Sequence, residues 1–173
     1  MQNRKFIKYS ALFLSLIVLL SLLRGCFTAN TPPSIAYVRR CFERDQEEIL
    51  LIQEYLMASE YRGFYVTDHI NENWEIALAD LEYVAICNDT VLRALQHLKE
   101  QGYENINKTG NTIEFELWSG IRDISCGIAF VAEGNSADIQ FLTEIKHLEQ
   151  KEWYYYITDY EQWRTNRPHP PQP

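Results

Sequence analysis

Apolar residues recur at three- and four-residue spacing through Ile35, Val38, Phe42, Ile49, Ile52 and Leu56, which sets them on one helical face. The pattern predicts either one long helix over about 35–59 or a shorter one starting near Asp45. Asp45 and Glu48 stand at capping-box spacing ahead of the apolar run, and Gly63 supplies a stop. Strand-forming residues follow at 63–68 (GFYVTD) and 81–86 (LEYVAI), while 74–80 reads either way. Asn88 or Asp89 caps a second helix that carries Val91, Leu95 and Leu98 on one face and closes at Gly102.

Beyond Gly102 the period changes from helix to strand. Segment 103–107 is followed by a turn at Lys108-Thr109-Gly110-Asn111 and by the strand 112–118. There Ile113, Phe115 and Leu117 alternate with Glu114 and Glu116, the mark of a half-buried antiparallel strand. Further strands are predicted at 124–131, 139–147 and 153–157, and Asp159 caps a last helical turn bearing Tyr160 and Trp163. The sum is an α+β fold. A long N-terminal helix and a second helix pack on an antiparallel meander sheet, preceded by a hydrophobic membrane segment.

That segment is the uncharged run 9–23, flanked by Arg4, Lys5, Lys8 and Arg24. It sits at the top of the length range of a signal h-region and is short for a span, so a cleaved signal and an uncleaved anchor both stay open. Four domain ranges follow: 1–26 as signal or anchor, 27–34 as a proline-stiffened linker, 35–166 as an α+β extracytoplasmic domain, and 167–173 as a disordered proline-rich tail. A basic flank retained inside places the body at the outer side of a cell membrane.

Charge narrows the partners. Residues 1–26 hold no acid, so the rest of the chain carries 12 Lys and Arg against 24 Asp and Glu. An acidic body argues against nucleic acid and against a bare anionic lipid surface. Without Cys26 the cysteines are Cys41, Cys87 and Cys126, an odd number, which leaves one disulfide plus a thiol or three buried thiols open. No Cys or His spacing indicates a metal, and no glycine pattern indicates a phosphate cradle, so no cofactor is expected.

Candidate chemistry is sparse. The four histidines, at 69, 97, 147 and 169, share no ligand spacing. Asp68-His69 lacks a marked nucleophile, and Ser119 lies outside any nucleophile-elbow pattern. Asp138, Glu144, Asp159 and Glu161 are candidate paired carboxylates for acid–base hydrolysis. The most distinctive feature is aromatic: Trp153, Tyr154, Tyr156, Tyr160 and Trp163 form a candidate binding surface for a protein, peptide or sugar. The expected function is a membrane-anchored extracytoplasmic protein acting as a non-catalytic binding or accessory module. An envelope hydrolase using Asp, Glu or His and an immunity or inhibitor protein are the alternatives.

Two resemblances bear on this reading. Leu23-Arg24-Gly25-Cys26 resembles a bacterial lipobox, which implies Cys26 as a lipidation site; Arg24 stands where that pattern has a small uncharged residue. The runs Gly110-Asn111-Thr112-Ile113-Glu114-Phe115, Gly127-Ile128-Ala129-Phe130, Trp153-Tyr154-Tyr155-Tyr156 and Asp159-Tyr160-Glu161-Gln162-Trp163-Arg164 resemble uncharacterised exported, lipoprotein-like proteins of Clostridia-type Gram-positive bacteria. That resemblance implies a location and no activity.

Overall fold

In the computed structural model, the described residues are 31–68, 74–78, 83–121 and 123–166. The chain divides at Thr31/Pro32, and the fold below belongs to the second unit. Its elements are α1 (Ile35–Arg44), α2 (Gln46–Met57), β1 (Gly63–Asp68), β2 (Trp74–Leu78), β3 (Tyr83–Ala85), α3 (Asp89–Glu100), β4 (Asn105–Thr109), β5 (Thr112–Ser119), β6 (Ile124–Val131), β7 (Leu142–His147), β8 (Trp153–Asp159) and α4 (Tyr160–Asn166).

The helices start where side chains can cap them. Ser34 Oγ accepts from the Tyr37 amide, Asn88 Oδ1 accepts from the Thr90 and Val91 amides, and Asp159 Oδ1 accepts from the Gln162 amide. Buried faces recur at helical spacing: Val38 and Phe42 on α1, Ile49, Ile52 and Leu56 on α2, Val91, Leu95 and Leu98 on α3. These residues meet Val66, Ile106, Ile113, Phe115, Ile128, Phe130, Trp153 and Tyr155 in one core, so the three helices cover one face of the sheet.

All strand pairings are antiparallel, in the order β3-β2-β1-β4-β5-β6-β8-β7. β4 and β5 are joined by a two-residue turn, Gly110-Asn111, with Thr109 opposite Thr112. Gly110 takes φ +56°, as such a turn requires. That turn sets Asn107 opposite Glu114 and Asn105 opposite Glu116. Where β5 carries an irregularity at Glu116/Trp118, the strands approach closely: a Cβ on Gly127 would lie 2.1 Å from the Phe115 carbonyl oxygen.

Several expectations change here. The long helix over 35–59 is two helices that break at Asp45. The capping box is not made either, because the Asp45 carboxylate is fully buried and turned to Arg44, whose Nε and Nη2 donate at 2.7 and 2.5 Å. The sheet departs from a meander, since the last strand inserts between β6 and β7. Finally, no helix among the described residues is long and apolar enough to cross a membrane. The segment invoked for anchoring, 1–26 with Cys26, lies outside the described residues, as do His69 and the tail 167–173. The hydrophobic membrane segment, the membrane partner and the cell-membrane location are corrected on that finding, and with them the membrane-anchored module and its envelope alternatives.

Candidate functional site

The aromatic residues singled out in the sequence do not form one surface. Trp153 faces the helices and packs against Phe42 and Phe130, with ring centroids 4.9 and 5.3 Å away. Tyr155 is buried beside it and donates its hydroxyl to the Pro33 carbonyl at 3.1 Å. On the opposite face Tyr156 is 1% exposed, packed with Ala129 and Ile139 under the segment 132–141. Tyr154 stacks against His147 at 4.3 Å. Tyr160 and Trp163 pack edge-on against Phe141, at 4.9 and 5.0 Å. The protein, peptide or sugar surface is thus corrected: Trp153 and Tyr156 are core residues, and the others pack in two separate places.

The candidate acids are separated as well. Glu144 pairs with Lys146 at 2.5 Å, Glu161 pairs with Arg164 at 2.7 Å, and Asp159 serves as a helix cap. Ser119 donates to Glu104, and His97 lies 3.6 Å from the buried Asp45. No group of three or more His, Cys, Asp or Glu among the described residues is placed to hold a metal. Cys41, Cys87 and Cys126 are free thiols, the first and last buried and Cys87 exposed.

What the fold does bring together is a row on the sheet face away from the helices. Pairing across β1, β4 and β5 lines up Tyr65, Asn107 and Glu114; the next row holds Asn105, Glu116, Gly127 and Tyr156. Their orientation follows from strand alternation, because Val66, Ile106, Ile113 and Phe115 point into the helical core. Segment 132–141 crosses beside this row, held by the Asp138 amide donating to Thr112 Oγ1 at 3.0 Å.

The row is rich in acceptors. Burial pushes the Glu114 carboxyl up to about 7, and the negative charges of Glu116 and Asp138 push the same way. Glu116 is also raised by burial, against the opposing pull of a hydrogen bond from Asn105 Nδ2 at 2.8 Å. Burial and these same two glutamates raise the Tyr156 phenol, so it stays protonated. The Glu114 carboxyl has no hydrogen bond or ion pair among the described residues. Across from it, Asn107 Oδ1 is a buried acceptor without a donor. Tyr65, opposite Asn107 on the other side, is 60% exposed.

The sequence reading passed over these residues because Glu114 and Glu116 alternate with apolar positions and look like an ordinary solvent face. The signal that points to them is the two-residue turn: once it sets the register, Asn107 must face Glu114 and Asn105 must face Glu116. Compared with protein-family models, with curated proteins and with solved structures, the chain finds no match in any of the three.

Proposed function

We propose that the half-buried sheet face around Glu114 is a recognition site for a small organic cation bearing N–H donors, an ammonium or a guanidinium. The observation that carries the reading is a pair of neighbours: the Glu114 carboxyl without a cationic partner among the described residues, and the buried, donorless Asn107 Oδ1 beside it. A cationic N–H group satisfies both at once, and charge-assisted hydrogen bonds in a partly desolvated site are the strong kind. Glu116 and Asp138 add field of the same sign. The exposed Tyr65 ring, two strands from Glu114, gives a cation a π-face to lie against. The row offers acceptors and a ring arranged around a half-buried carboxyl, and the reading is of cation capture.

Titration of the isotope-labelled full chain with methylguanidinium and with methylammonium tests this. The expected result is saturable shifts at Tyr65, Asn107 and Glu114, with tetramethylammonium, equal in charge but lacking N–H, bound at least roughly tenfold more weakly. Glu114→Gln is expected to weaken methylguanidinium by a similar factor. Shifts that merely follow ionic strength, or that tetramethylammonium reproduces in full, would sink the reading.

A further inference from the structure

The sheet ends on β7, which hydrogen-bonds to β8 on one side and, among the described residues, has no strand on the other. The opposite edge strand, β3, has only three residues. Past an irregularity at Leu142/Glu144, β7 runs in regular register from Glu144 to His147. An edge of this kind leaves backbone donors and acceptors open to another strand, and proteins commonly blunt it with charge. β7 carries that charge in a particular order, Glu144-Ile145-Lys146, with an apolar residue between the two signs. Ile145 is 39% exposed, and Glu144 and Lys146 lie on the other side of the strand, paired with each other at 2.5 Å.

We propose that β7 is a self-recognition edge: a second copy of the chain pairs with it antiparallel about a two-fold axis at Ile145, joining the two sheets into one. The choice of axis follows from charge and from the pleat. Side chains opposite each other in a ladder share a face, so only axes that pass through a residue keep the helical layers of both copies on the same side. An axis at Glu144 sets two carboxylates against each other, and one at Lys146 sets two ammonium groups together. The axis at Ile145 places Glu144 of each copy opposite Lys146 of the other and packs the two isoleucines side by side. The residues that would repel a wrongly registered strand thus favour this one, and isologous contact closes the assembly at two copies.

The test is light scattering of the full chain over a concentration series, with circular dichroism confirming that each variant is folded. Wild type is expected to pass from monomer to dimer. Lys146→Glu and Glu144→Lys each turn two attractive contacts of the dimer into repulsive ones, and each is expected to weaken association by roughly tenfold or more. The double variant, with the charges exchanged, is expected to recover wild-type association. A wild-type chain that stays monomeric throughout overturns the proposal. So does association that ignores the single reversals, because pairing through any other surface would not respond to them; failure of the double variant to recover overturns the register.

Discussion

Glu114 holds its proton into the neutral range because the fold buries its carboxyl between Glu116 and Asp138 without supplying a cation among the described residues. The folded value of about 7 lies above the 4.5 of an ordinary glutamate, so the native state binds the proton more tightly than the unfolded chain does. The stability Glu114 contributes is therefore full below about pH 4.5 and is lost as pH rises through 7. Glu114→Gln keeps the shape and removes the charge. It is expected to flatten this part of the pH dependence and to stabilise the domain above pH 8 by on the order of 2 kcal/mol, after allowance for the partial exposure of the group. Urea unfolding of both proteins at pH 5, 6, 7 and 8 checks it; a stability difference that does not change with pH would show that Glu114 is already ionised at pH 5. The same linkage makes cation capture proton-coupled. An ionised carboxylate attracts the ligand more strongly than a neutral acid, so affinity is expected to rise with pH up to about 7.

At the scale of elements, side chains from one segment finish the hydrogen bonding of another. The C-terminal end of α2 leaves carbonyls without helical partners, and Lys108, buried on β4, reaches across to donate to Leu56 O at 2.9 Å and Ser59 O at 3.2 Å. An ammonium there also complements the negative end of the helix dipole. Lys108→Met keeps most of the stem and removes the donor. It is expected to cost about 1–3 kcal/mol, read as a lower midpoint in urea unfolding with an unchanged slope. Much of this level is legible in advance: the caps at Asn88 and Asp159, the helix faces and the β4–β5 turn all follow from local chemistry. The choice between one long helix and a start near Asp45 is not, because it depends on how Arg44 and His97 lie around the buried Asp45 carboxylate. Nor is Lys108, a lysine at an inward position whose partner is 52 residues away in the chain.

For the whole molecule, the decisive feature is the place of the last strand. β8 lies between β6 and β7 although it follows both in the chain, and strand order of this kind is set by long-range packing that no local pattern encodes. The burial of Tyr156, the closure of segment 132–141 over Ala129 and the placement of β7 at the edge all follow from that insertion. The aromatic run 153–156 looked like a surface because alternation alone cannot tell a strand covered on both faces from one with a face free. Trp153 and Tyr155 fill the helical core while Tyr156 fills the other face, so β8 unites the two packed layers. Truncation after Gln150 therefore removes the strand that pairs with β7, one neighbour of β6 and three fully packed rings at once. Each buried ring contributes about 3–5 kcal/mol against its removal, which together is comparable to the whole stability of a domain this size. The truncated chain is expected to lose cooperative thermal unfolding altogether. A truncation at Gln150 that still unfolds in one sharp transition would mean that β1 to β6 and the three helices form a self-sufficient core, with β7 and β8 an appendage to it.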